Sequence, residues 1–292
     1  MKKHLTTLLV ILLFIIGLSV LLYPTVSNYV NQKNASRAID SYNAALADAS
    51  QAELRSWFDA ATAYNRSLFE NPSAFYLPEL IAGYNETLDI TGTGIMGYID
   101  IEKIKVHLPI YHGVDDVILQ VAVGHLPGTS LPVGGQNTHT VLSGHRGLPS
   151  SRLFTDLDDL EEGDIFTITV LSQVITYQVD QIKIVLPSES DDLQIVPGKD
   201  YCTLITCTPY GINSHRMLVR GVRIDNIENE DGDRPMVFVP NDAMRIDPLI
   251  IIPIALVPML LIMFLILLIF SSIRRLWKRL ATKEVNDGNE TN

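Results

Sequence analysis

The chain has 292 residues, a formal charge of −11 and a mean hydropathy of +0.20, which is high for a water-soluble protein. Its apolar residues gather in two uncharged runs, 5–23 and 248–273, and each can cross a hydrocarbon core of ~30 Å at ~1.5 Å per helical residue. The section between them, 24–246, holds 15 of the 22 basic and 29 of the 33 acidic residues, an acidic balance that excludes a basic nucleic-acid binder.

Lys2 and Lys3 precede the first run, and Arg274, Arg275, Lys278, Arg279 and Lys283 follow the second. The positive-inside rule then puts both termini in the cytoplasm and the middle section outside. An uncleaved anchor is the expected form of the first run, with a cleaved signal peptide as the alternative. Nineteen residues is long for a signal-peptide core, and no A-x-A site follows Tyr23. Pro253 and Pro258 predict a kink in the second membrane helix.

From about residue 32 to 70 the periodicity is helical. Ser50 and Glu53 form a capping-box pattern ahead of Leu54, Trp57, Phe58, Ala61, Tyr64 and Leu68 at helical spacing, so two short helices are expected between membrane and main domain. Pro72, Pro78 and Gly83 mark 71–91 as a loop. Beyond it, short β-branched runs at 98–101, 117–123, 138–143, 166–170, 175–184, 201–206 and 217–224 alternate with turn residues. So many strands without long intervening helices predict a closed or nearly closed antiparallel barrel, which removes exposed edges. The acidic stretch 228–233 reads as a linker to the second span.

The chain has two cysteines, Cys202 and Cys207. Five residues of strand separate them by ~16 Å, beyond the ~7 Å a disulfide allows between Cα atoms, so they are not bonded to each other. Their odd separation sets them on opposite faces of a regular strand. Cys202 reads as a small buried residue. Cys207 ends the apolar run before Pro209 and Gly211, where a half-exposed thiol can react. A thiol of ordinary pKa, ~8.5, is mostly protonated at neutral pH and needs a base or cation nearby. His145, flanked by Gly144 and Gly147 at a strand end, is the candidate base, while the other histidines have simpler explanations in turns or strands. Arg216 begins the strand after the turn that follows Cys207, and hairpin geometry returns it to the level of Cys207, where its guanidinium can hold an oxyanion.

The stretch TLITCTPYGINSHRMLVRG, residues 203–221, resembles the active-site signature of sortases, the Gram-positive cysteine transpeptidases. Cys207 matches the nucleophile of TLxTC, Arg216 the arginine of the next strand, and LSGHRG carries the matching His145. The similarity runs from about residue 94 to 221 and includes GIMGYIDI, LPIYHG and VGHLPGTSLPVGG. The N-terminal helices, LPIYHG and the C-terminal apolar span resemble class C sortases, the pilus polymerases. The resemblance implies a mainly β fold, a closed eight-stranded β-barrel with N-terminal helices, flanked by two transmembrane helices. It implies membrane-anchored catalysis outside the cell without metal or organic cofactor. The partners implied are pilin subunits bearing LPxTG-like sorting signals, joined through a lysine isopeptide bond. A sortase attaching proteins to cell-wall precursor, a thiol protease and a non-catalytic pilin-binding scaffold are the alternatives.

The expected organisation is an anchor or signal at 1–23, a helical segment and lid-like loop at 24–93, the barrel at 94–230, a linker at 231–247, a membrane helix at 248–273 and a basic tail at 274–292. Class C lids carry Asp-Pro followed by an aromatic, which reach the arginine and cysteine. Here the comparable place reads Asn71-Pro72-Ser73, so carboxylate and ring are both absent and lid-based inhibition is in doubt. Phe75 or Tyr76 can replace the ring, but an amide cannot replace the ionic contact.

Overall fold

The computed structural model describes residues 2–226 and Phe264. The expected linker, second membrane helix and basic tail otherwise lie outside the described residues. The chain opens with one helix, α1 (Lys2–Asp48), followed by α2 (Gln51–Glu70). The first of the two expected short helices is therefore the outer part of a helix that begins in the apolar run. Pro24 lies inside it without ending it, because nothing else in 24–48 breaks helical periodicity. From Leu12 onward α1 is long and apolar enough to cross a membrane. The capping box forms: the Ser50 side chain accepts from Glu53 N–H, and the Glu53 carboxylate accepts from Ser50 N–H at 2.8 Å.

Eight strands close into a barrel: β1 (Ile95–Ile101), β2 (Val106–His112), β3 (Val123–His125), β4 (Thr138–Ser143), β5 (Ile165–Val170), β6 (Gln173–Val185), β7 (Asp200–Thr208) and β8 (His215–Arg223). Around the ring they run β1-β2-β3-β4-β7-β8-β6-β5. Closure is as expected, but the pairing is mixed. β2 with β3 and β4 with β7 are parallel, and the remaining pairs are antiparallel. A strand expected at 117–123 is instead a helical turn, α3 (Asp116–Leu119), and then the start of β3. The reason is topological, since parallel strands cannot be joined by a tight hairpin and the crossover from β2 to β3 is made through that turn. Val117 at 80% exposure faces water there. β2 is a strand the run analysis does not single out, because Pro109 interrupts its apolar pattern.

The connection from β4 to β5 delivers Phe154, Leu157 and Leu160 to the same core as the inward residues Ile99, Leu142, Leu204 and Val219. The helices dock through one face each. Ala35, Ile39, Tyr42 and Leu46 of α1 are buried, and so are Ala61, Tyr64, Asn65 and Leu68 of α2. Tyr42 Oη donates to Met96 O at 2.9 Å and accepts from Leu171 N–H at 3.0 Å, tying α1 to β1 and the β5–β6 turn. Asn65 exchanges two hydrogen bonds with the backbone of Leu131, at 3.0 and 2.7 Å.

Two histidines are structural, as their strand and turn positions suggest. His125 donates through Nε2 to Ser130 O at 2.8 Å, with Tyr84 Oη 3.0 Å from Nδ1. His139 donates through Nδ1 to Gln194 O at 2.9 Å and accepts at Nε2 from Thr203 Oγ1 at 2.7 Å. Burial lowers the pKa of both from 6.5 to about 4. Between pH 6.5 and 4 the unfolded chain therefore binds protons that the folded chain refuses, so stability rises with pH across that window and falls on acidification. Each histidine contributes at most about 3 kcal/mol of this loss. Urea unfolding of the detergent-solubilised chain is expected to show a midpoint that falls steadily from pH 6.5 to 4.5, with imidazole NMR signals of His125 and His139 staying mostly neutral over that range.

Candidate active site

β7 alternates between two environments. Cys202 and Leu204 point into the barrel core, so Thr203, Ile205 and Cys207 point outward. Cys202 is fully buried, and burial, with Asp200 adding to it, pushes its thiol well above the ordinary range. It stays a protonated, inert core residue. Cys207 is half-buried at the end of the strand, and both thiols are free.

β8 returns beside β7, and Arg216 is the direct cross-strand partner of Cys207. Met217 and Val219 belong to the inner core while Leu218 packs on the outer face, so Arg216 shares the outer face with Cys207. Its Nη1 donates to Asn213 O and His215 O at 3.2 and 3.1 Å, holding the guanidinium against its own turn.

On the other flank β4 runs parallel to β7, with Ser143 level with Ile205. Beyond the last strand residue, Gly144 N–H donates to Ile205 O at 3.0 Å and Gly144 O accepts from Thr206 Oγ1 at 2.8 Å. Continuing this register by two residues sets His145 level with Cys207. Cys207 and Arg216 are thus cross-strand partners on β7 and β8, and His145 lies two residues past the end of β4, the strand on the other side of β7. Gly144 is required by packing, because a Cβ there would lie 2.6 Å from the Phe154 ring.

The loop carrying His145 is closed by Phe154 N–H donating to His145 O at 3.1 Å. Arg146 holds it from both sides. Its Nη2 donates to Asp158, its guanidinium lies 5.9 Å from the ring centroid of Tyr210 in the β7–β8 turn, and its side chain is only 10% exposed. Gly147, at φ +78°, faces the same ring, from which a Cβ would stand 3.0 Å away. The Thr208–Pro209 peptide bond before that turn is cis.

An apolar floor extends from Cys207 along the outer face. Val141, Leu193 and Leu218 form it, with Ile205, Leu126, Val185 and Phe75 packed against them. Phe75 arrives on a 3-10 turn, Pro72–Phe75, whose Ala74 is fully buried. Tyr76 is exposed and accepts a hydrogen bond at 2.9 Å from Gln194 of the β6–β7 connection. Asn71 caps α2, its N–H donating to Ser67 O and Leu68 O, while Pro72 and Ser73 face solvent. A cavity of about 150 Å³ opens beside Phe75, lined by Leu68, His139, Leu193, Gln194 and Pro197 among others.

Residues 99–224 match the sortase domain family model. The structure of sortase C1 from Streptococcus agalactiae is 48% identical to this chain, with a TM-score of 0.61 over 65% of this chain and all of that one. That degree of identity over an entire relative decides the family. The chain belongs to the sortases. Sortase C from Clostridium perfringens, solved with a C-terminal cell wall sorting motif, is 43% identical at a TM-score of 0.57, again over 65% of this chain and 100% of that one. Sortase A of Streptococcus agalactiae is 26% identical over 204 residues, 69% of this chain and 77% of its own length. This sortase is accordingly a cysteine transpeptidase, and its solved relatives include pilus-associated class C members.

Arg146 and Tyr210 fall within the quoted motifs without being singled out and Asp158 lies outside them, because their link depends on two loops meeting in space. In this sortase they hold the His145 loop against the β7–β8 turn. Misplacing a reacting group by ~1 Å can cost on the order of 100-fold in rate. Arg146→Ala is therefore expected to lower kcat by about that factor or less with little change in peptide KM, and Arg146→Lys to recover part of the loss. Steady-state kinetics on a sorting-signal peptide measures both.

Proposed function

We propose that this sortase joins pilin subunits: Cys207 is the nucleophile, His145 the general acid and base, and Arg216 the oxyanion donor. The observation that carries this is the shared outer face of Cys207 and Arg216, cross-strand partners with the His145 loop hydrogen-bonded onto the same end of β7. Cys207 Sγ attacks the threonine carbonyl of an LPxTG-like signal, forming a thioester as the Thr–Gly bond breaks. Arg216 donates to the oxygen that gains charge, and His145 gives a proton to the departing glycine amine. In the second half, His145 takes a proton from the incoming lysine amine. That amine displaces Cys207 and leaves an isopeptide bond. The apolar N-terminal helix supports anchoring at the membrane, with the barrel outside the cell.

Incubating the chain with an LPxTG peptide is expected to add the acyl fragment's mass to Cys207 and to no other residue. Cys207→Ala is expected to abolish the adduct and all pilin joining, and unimpaired joining by that variant excludes the proposal. Presenting both a lysine-bearing pilin and a wall-precursor mimic separates the polymerase reading from the wall-anchoring one, and exclusive use of the mimic overturns the former.

The turn at 71–76 acts as a lid of altered chemistry. Asn71 and Ser73 leave no carboxylate or ring where class C lids carry them, and Phe75 supplies the ring by packing on the floor that leads to Cys207. Its hold is apolar rather than ionic. Phe75→Ala is expected to improve apparent peptide affinity by up to ~10-fold, since an occluding state taxes binding by its population, without changing the rate of thioester transfer. Peptide titration in the Cys207→Ala background measures the affinity, and single-turnover acylation of the Phe75→Ala chain with Cys207 intact measures the transfer rate.

A further inference from the structure

α1 serves as a ruler for height above the membrane. It is one helix from the apolar run 5–23 out to Asp48. Asn28 Oδ1 accepts from Arg152 N–H, and Asn31 Nδ2 donates to Ser150 O, both at 2.9 Å. Farther out, Tyr42 bonds Met96 and Leu171. At ~1.5 Å per residue Asn28 stands ~8 Å beyond Tyr23, and Tyr42 ~28 Å beyond it. The barrel end carrying Ser150 and Arg152 is thus the end nearest the apolar run, and the β5–β6 turn is the remote end.

Ser150 and Arg152 lie in the loop that Phe154 N–H closes onto His145 O, and Gly147 of that loop faces the Tyr210 ring. The β7–β8 turn and the mouth at Cys207 therefore belong to the near end. This turn presents two large apolar side chains to solvent, Tyr210 at 61% and Ile212 at 71% exposure. On α1, Val26, Tyr29 and Val30 are similarly exposed, at 56, 51 and 48%, so apolar surface continues outward past the run itself. Tyrosines at this height suit the interface, where an apolar ring and a wet hydroxyl are both accommodated. Two carboxylates at this end are neutralised locally, Asp158 by Arg146 and Asp156 by Arg152, which limits repulsion from headgroup phosphates.

We propose that the Cys207-bearing end of the barrel rests on the bilayer surface, with Tyr210 and Ile212 of the β7–β8 turn seated among the lipid headgroups. The occupant is lipid because one continuous helix fixes this end within about two turns of the span. The proposal rests on the anchoring part of the functional reading and is independent of the catalytic assignments.

The test uses the full chain with Cys207→Ala, reconstituted in vesicles of phosphatidylcholine and phosphatidylglycerol. A nitroxide is attached singly at Ile212→Cys, at Gln173→Cys beside the remote turn, or at Leu13→Cys in the apolar run. Cys202 is buried and does not label. The ratio of oxygen to nickel-chelate accessibility is expected to be at least severalfold higher at 212 than at 173, and highest at 13. A ratio at 212 no higher than at 173, with 13 reading the bilayer interior, overturns the proposal and leaves the anchor standing. Water-like ratios at both 13 and 212 overturn proposal and anchor together, while neither result bears on the Cys207 adduct.

Discussion

The register of β7 is the constraint on which the rest depends. Side chains alternate along a strand, so a slip of one residue would turn Cys207 inward and expose Cys202. Two ladders of different kind prevent it. β4 runs parallel on one side and β8 antiparallel on the other, and the inward set of Cys202, Leu204 and Thr206 is buried throughout. The same register delivers Arg216 from one neighbour and the His145 loop from the other. The orientation of this thiol is therefore bound to the packing of the barrel interior, and Cys202 is part of that packing.

Around this face the molecule layers two further structures. One is the outer apolar floor, shared between β4, β7, β8, the β6–β7 connection and the turn that carries Phe75. That turn is held by apolar contact and the Gln194–Tyr76 hydrogen bond, with no ion pair among the described residues. Contacts of that kind are less directional and only weakly affected by salt. The other is the loop crossing from β4 to β5, which fills the barrel end with Phe154 and Leu157 while its outer edge meets α1 at Asn28 and Asn31. One loop thereby links the histidine, the core and the helix that carries the apolar run.

Much of this is legible from residue order. The five-residue spacing of the cysteines excludes a bond between them and assigns them opposite faces, and both are free with Cys202 inside. The capping box at Ser50 and Glu53 forms as read. Other features are not legible. β2 contains Pro109, which hides its apolar alternation, and the β-branched residues at 117–123 make a helical turn because a parallel crossover must pass there. Mixed pairing cannot be inferred from strands alone, since strand order around a barrel is a property of the whole ring. Phe75 and Tyr76 read alike as loop aromatics, and only the packing of Phe75 against the cluster of Val141, Leu193 and Leu218 distinguishes it from the exposed Tyr76.

Sequence by itself determined an apolar run near the N-terminus, an acidic section rich in strands, a strand-end thiol not bonded to the other cysteine, and the histidine and arginine proposed to act with it, because these follow from spacing, alternation and side-chain chemistry. Only the tertiary structure decided which strands adjoin, how the Arg146–Asp158 and Tyr210 contacts brace the histidine loop, where Phe75 packs and which end of the barrel is nearest the apolar run of α1. Each of those depends on residues far apart in the chain meeting across a closed sheet, and no local pattern encodes such a meeting.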